Sequence, residues 1–160
     1  MMHNSKNPGI DGLLQRLEAL EDERAIMNTM YRYGHCIDYG LEQEWVELFA
    51  EDGIYEVRVR TTNDVLRKEG SQALSRFIAK HTRAPSKYHK HLLMEPLIAI
   101  KDGNTATAES FFVRVDDYDG KPYILAFGRY RDRFVRDNNR WLFKERVCEV
   151  EALRQELVGT

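Results

Sequence analysis

The chain is poor in several things that would settle its class at once. It has two cysteines in 160 residues, Cys36 and Cys148, too few and too far apart for a disulfide framework or a CxxC motif. Its 24 basic and 26 acidic residues leave a net charge of −2. Without a basic surplus to neutralise phosphates, no nucleic-acid partner is expected. No apolar run approaches the roughly 20 residues needed to cross a bilayer. The opening MMHNSKNPGIDG lacks the apolar stretch of a secretory signal. These absences predict a cytoplasmic protein with no membrane partner. There is also no GxGxxG, P-loop, HExxH or GxSxG signature, so any chemistry must be assembled by the fold from residues distant in sequence.

What is present fits one folded domain. Hydrophobic residues make up 42% and aromatics 11%, enough to fill a core and line a pocket. A chain of this length buries about 68–70% of its unfolded surface without needing staples. The expected division is a flexible N-terminus over 1–12, one domain over 13–153 and a tail over 154–160. Leu13, Leu17 and Leu20, then Ile26, Met30, Tyr33 and Ile37, recur at three- and four-residue spacing, as one long helix or two. Gly40 ends that pattern in the manner of a helix C′ glycine. A second helix is expected over about Glu42 to Ala50, followed by a turn at Asp52–Gly53.

Ile54 to Arg60 alternates like a half-buried strand, and Thr61 to Glu69 reads as an irregular, mobile loop. A short helix runs from Gly70–Ser71 to about Lys80, with Leu74, Phe77 and Ile78 as its apolar stripe. Four strands then follow: Lys87 to Ile100, with Pro96 forcing a bulge or an edge position; Thr105 to Val115, after a hairpin turn at Asp102–Gly103; Tyr123 to Val135; and Trp141 to about Leu153. Helices first and long hairpin-linked strands after them predict an α+β fold, with helices across the concave side of a curved antiparallel sheet and a ligand-sized cavity between the layers.

Three polar features sit where the pattern expects apolar surroundings. Asp38 follows the last apolar position of the first helix, at a C-terminus where a carboxylate is unfavourable without a partner. His89 and His91 share one face of a strand; they read either as ordinary strand histidines, as an acid–base group, or as part of a two-histidine–carboxylate metal site. Arg146 shares its strand face with Cys148 and Val150, so it is either snorkelling at the rim or held inside by an anion. Tyr55 and Tyr130 are further phenolic donors. Arg129, Arg131 and Arg133 alternate onto one face and read as solvated or as a subunit contact.

Taken in order, Tyr33, Ile37–Asp38, Trp45, Leu48 to Gly53, Gly70 before a short helix, His91 opening a strand, Asp102 to Ala106, Gly128 to Asp132, and Trp141 followed by Arg146 resemble the SnoaL-like family. That family lies within the cone-shaped superfamily of nuclear transport factor 2, ketosteroid isomerase and scytalone dehydratase, a cystatin-like fold. The resemblance covers Leu13 to Ala152. Its dehydratase and dehydrochlorinase branch uses a histidine–aspartate dyad, and Asp38 and His91 occupy the matching positions, with Tyr33 and Arg146 matching further pocket groups.

The resemblance thus implies a cofactor-independent lyase or isomerase without a metal, acting on a hydrophobic cyclic molecule, in a homodimer or homotrimer. Asp38, His91, Tyr33 and Arg146 would be catalytic. Tyr55, Val57, Phe77, His89, Leu93, Phe112, Tyr130, Cys148 and Val150 would line the pocket. The same superfamily offers another class: ligand-binding proteins without turnover, and the structural β subunit of aromatic-ring dioxygenases, which Tyr55 to Arg60 and Gly128 to Asp132 also resemble and which supports an iron-containing α subunit.

Overall fold

A computed structural model of the chain describes residues 8–154. One continuous helix, α1 (Pro8–Tyr39), is followed by a short α2 (Glu42–Val46) and then β1 (Phe49–Val59), β2 (Asp64–Glu69), α3 (Ser71–Ile78), β3 (His89–Asp102), β4 (Thr105–Tyr118), β5 (Lys121–Asp137) and β6 (Arg140–Leu153). The six strands form one curved sheet in the order β2-β1-β6-β5-β4-β3, with helices packed against it. Every pairing is antiparallel except β1 with β6, which run parallel because the chain crosses from β1 by way of α3 to the far edge and returns through three hairpins. No helix among the described residues is long and apolar enough to cross a membrane.

The local causes are legible. Gly40 takes a positive φ of 69°, and Leu41 N–H bonds back to the Cys36 carbonyl at 2.9 Å, the closure that stops a helix in a Schellman turn. Ile26, Met30, Tyr33 and Ile37 are buried on the sheet side of α1. Thr29 Oγ1 donates to the Trp141 carbonyl, and Trp141 Nε1 donates to Asp22, so α1 is pinned to β6 as well as packed on it. In β3 the register shifts between Met94 and Leu97, around Pro96, with Glu95 at φ 51°; proline cannot donate to the ladder, and the strand bulges there. The Asp102 carboxylate caps the β3–β4 turn by accepting from the Asn104 and Thr105 amides.

Several expectations need correcting. Thr61 to Glu69 is not an irregular loop: Asp64–Glu69 forms β2, paired with β1 from Val59↔Asp64 to Ile54↔Glu69. Its polarity misleads because β2 is an edge strand, exposed along most of its length, so it shows no apolar alternation. The strand expected from Ile54 begins at Phe49, with an irregular register up to Ile54. Residues 8–12, expected to fray, are helical; 1–7 and 155–160 lie outside the described residues. Of the two alternatives, one long helix holds, and its Leu13, Leu17 and Leu20 are 51–65% exposed.

The outer face of the sheet carries the alternating arginines. Arg129 pairs with Glu149, Arg133 with Glu145 and Arg131 with Glu109. A depression of about 570 Å³ lies over this lattice, walled largely by charges already paired to one another.

Candidate active site

Asp38 comes from the last turn of α1 and His91 from the start of β3, and they meet. The Asp38 carboxylate accepts from His91 Nδ1 at 2.6 Å and, with its other oxygen, from the His91 backbone amide at 3.0 Å. Two donors thus offset a position that the helix dipole makes unfavourable. Asp38 is 3% exposed. Burial raises its pKa, but the hydrogen bonds and charge of His91, with a smaller contribution from His89, outweigh that and hold the carboxyl below its usual range. An ionised Asp38 only accepts, so Nδ1 carries a proton, and in the neutral imidazole the lone pair is then on Nε2.

Gly34 makes the meeting possible. A Cβ there would stand 2.9 Å from the His91 carbonyl oxygen. Glycine inside a helix costs about 1 kcal/mol relative to alanine, and here it lets β3 lie against α1. The glycine one helical turn before Asp38 was the available sequence signal for this close approach.

His89 does share a face with His91, with ring centroids 5.3 Å apart. His81, past the end of α3, completes a cluster of three imidazoles, 5.4 Å from the His89 ring and 6.0 Å from the His91 ring. Sequence reasoning did not single out His81. Burial, then neighbouring positive groups, push both His81 and His89 down to about 4, so both are neutral at physiological pH. Both His89 ring nitrogens are buried and without a hydrogen-bond partner among the described residues. Asp38, His89 and His91 each bring one ligand atom within 4.8 Å of the others, a donor set that a divalent metal accepts. The 2.6 Å spacing of Asp38 and His91 is a hydrogen bond, however, shorter than the roughly 3.3 Å separating ligands on a tetrahedral zinc with bonds of about 2.0–2.1 Å. The geometry is that of a dyad.

The dyad opens into a cleft of about 430 Å³ between α1 and β3, where Tyr33, Leu93 and Tyr130 also stand. Tyr33 donates to the Tyr55 hydroxyl at 3.1 Å, while the buried Tyr130 hydroxyl has no partner among the described residues. Burial raises the pKa of all three phenols, so they remain protonated donors.

The remaining expected pocket residues do not gather around this cleft. Tyr55 and Phe77 belong to an aromatic cluster with Trp45 and Phe49, Val57 packs against the hydrophobic core, Phe112 stacks on Tyr130 at 4.7 Å, and Cys148 and Val150 are core residues. These side chains belong to or pack against the core, and the cleft beside the dyad lies between α1 and β3.

Arg146 also requires correction. It is fully buried, bidentate to Asp132 at 2.9 and 2.8 Å, and its guanidinium lies 4.1–4.3 Å from the Tyr33, Tyr130 and Phe143 ring centres. Its partner is supplied by register: Asp132 sits opposite Arg146 on β5, beside the small Ala108 of β4. Of the two readings that the strand pattern left open, the inward one with an anionic partner holds, and Arg146 supports the tyrosines from beneath and is absent from the cleft wall.

The sequence pattern of SnoaL-like domains matches residues 18–147, most of the chain. The protein belongs to the SnoaL-like family. The fold of this SnoaL-like chain is shared by an NTF2-like protein with a cystatin-like fold from Novosphingobium aromaticivorans (TM-score 0.77, 24% identity, 98% of this chain and 94% of that one). It is also shared by a protein from the same organism assigned as a scytalone dehydratase (TM-score 0.70, 22% identity, 86% and 89%). Among curated proteins the chain is similar to the methanesulfonate monooxygenase hydroxylase subunit beta of Methylosulfonomonas methylovora, 25% identical over 92% of this chain and 90% of that one.

Proposed function

We propose that the SnoaL-like chain is a cofactor-independent lyase or isomerase in which His91 is the general base and Asp38 its orienting partner. The observation that carries this reading is the 2.6 Å contact from Asp38 to His91 Nδ1 beside an open cleft. Held in that tautomer, Nε2 takes a proton from a carbon made acidic by an adjacent carbonyl or aromatic system. Asp38 stabilises the imidazolium so formed, as an aspartate does for the histidine of a catalytic triad.

For elimination, the pair of electrons released from the C–H bond forms the new double bond and the leaving group departs from the next carbon. For isomerisation, the proton is returned elsewhere on the conjugated system. Negative charge developing on the substrate oxygen is met by the unpartnered Tyr130 hydroxyl at the cleft. The aromatic and aliphatic wall of the cleft favours a hydrophobic, cyclic substrate.

The test is proton exchange in deuterated water against a panel of cyclic ketones and hydroxyketones, followed by NMR. Exchange next to the carbonyl that disappears in His91→Ala supports the proposal; exchange that survives the substitution overturns it.

A second reading has its own support. The near end-to-end similarity to the hydroxylase β subunit favours a subunit that stabilises an oxygenase partner. Stable capture of an α subunit encoded with this chain, together with no exchange on any ketone of the panel, would decide for it.

A further inference from the structure

The N-terminal half of α1 presents a second apolar face that the domain itself does not use. Ile10, Leu13, Leu14, Leu17 and Leu20 are 51–65% exposed. At 3.6 residues per turn they lie on roughly the opposite side of the helix from Ile26, Met30, Tyr33 and Ile37, which face the sheet. The helix therefore changes its apolar side near Asp22, where it bonds to the body through Trp141 and Arg136. An apolar stripe of this size on solvent marks an interaction surface, and its direction excludes the chain's own sheet as the partner.

Spacing and charge identify the occupant. Ile10, Leu13, Leu17 and Leu20 fall at intervals of three, four and three, the a and d positions of two successive heptads. In that frame the exposed Arg16 is at g and the exposed Glu21 at the following e. In a parallel two-stranded pair, g of one helix meets the following e of the other, so Arg16 faces Glu21 of the second copy, twice by symmetry. An antiparallel pair sets g against g and e against e and brings no such pair together. Because the seam points away from the sheet, the two bodies fall on opposite sides of the helix pair without collision.

We infer that two copies of this chain associate through a parallel coiled coil formed by residues 10–20 of α1. The inference is independent of the chemistry proposed for the dyad.

Sedimentation of the full chain over a range of concentrations tests it. The wild type is expected to approach twice the 18.8 kDa chain mass, and Leu13→Glu/Leu17→Glu to remain at the chain mass with an unchanged circular dichroism spectrum. Arg16→Glu and Glu21→Arg should each weaken association several-fold, and the double reversal should restore it. Leu13→Cys, at a d position, should form a reducible cross-link between copies under mild oxidation, since both native cysteines are buried. A wild type that is monomeric throughout, a mass unaffected by Leu13→Glu/Leu17→Glu, failure of the double reversal to restore association, or no Leu13→Cys cross-link would each overturn the inference.

Discussion

Two of the buried acidic groups among the described residues hold nitrogen donors of different kinds, and the contrast separates chemistry from architecture. Asp132 and Arg146 face each other across β5 and β6, both fully enclosed, with both carboxylate oxygens engaged by the guanidinium. Neither has a route to solvent, and a guanidinium does not release its proton at any relevant pH. Asp38 and His91 stand at the seam of α1 and β3, where one ring nitrogen is held and the other remains available, beside an open cleft. The sealed pair fixes the floor on which Tyr33 and Tyr130 rest; the open pair can gain and lose a proton. Burial alone marks neither as functional. What distinguishes them is an exchangeable proton with somewhere to go.

Substitutions should divide along the same line. His91→Ala removes the base and should lower turnover about 10²- to 10⁴-fold on any substrate that the wild type processes, with a stability loss of about 1–3 kcal/mol because Asp38 keeps only the backbone amide at position 91; steady-state kinetics beside a thermal melt would show it. Asp132→Ala does the reverse. It leaves Arg146 buried and unpaired, and breaking a buried pair in this way costs about 3–5 kcal/mol, to be read from urea unfolding.

Gly34→Ala lies between the two. Its methyl group would press on the His91 carbonyl, costing about 1–3 kcal/mol as overpacking does, and it should lower activity by displacing His91 from Asp38. Equal stability and full activity in Gly34→Ala would show that the contact of α1 with β3 is not needed.

The smallest effect is on pH dependence. His81 and His89 are pushed down to about 4 in the folded chain, while in the unfolded chain they return to about 6.5. The unfolded state therefore binds more protons below pH 6.5, so their contribution makes stability fall as pH drops from about 6.5 to 4 and level off below that. His89→Gln should flatten this part of the profile in denaturant titrations at successive pH values.

How far the sequence can be read depends on whether a signal is local. The core side of α1 is periodic in the sequence and buried in the structure, as are Leu74 and Ile78 of α3. The hairpin at Asp102–Gly103 and the bulge at Pro96 follow from single residues with strong backbone preferences. The strand β2 was hidden because an edge strand need not alternate. Leu13 to Leu20 are helical, as their spacing implies, but exposed: periodicity reports an apolar face but not which neighbour covers it. Asp38 was noticeable as an acid at an unfavourable helix end, whereas its pairing with His91, and the matching of both to a dyad, came from family resemblance. Arg146 was noticeable too, but its partner lies 14 residues away across a hairpin whose register the sequence does not fix. The packing of Trp45, Tyr55 and Phe77 against one another is a three-dimensional outcome that no spacing encodes.

The central claim is that Asp38 fixes His91 in the tautomer with the proton on Nδ1, leaving Nε2 as the base. Long-range proton–nitrogen NMR correlation on ¹⁵N-histidine-labelled protein above pH 7 reads this directly. The account predicts a protonated Nδ1 and a bare Nε2 for His91, with a mixture of tautomers in Asp38→Asn. A His91 protonated on Nε2 in the wild type, or a tautomer unchanged by Asp38→Asn, would contradict it.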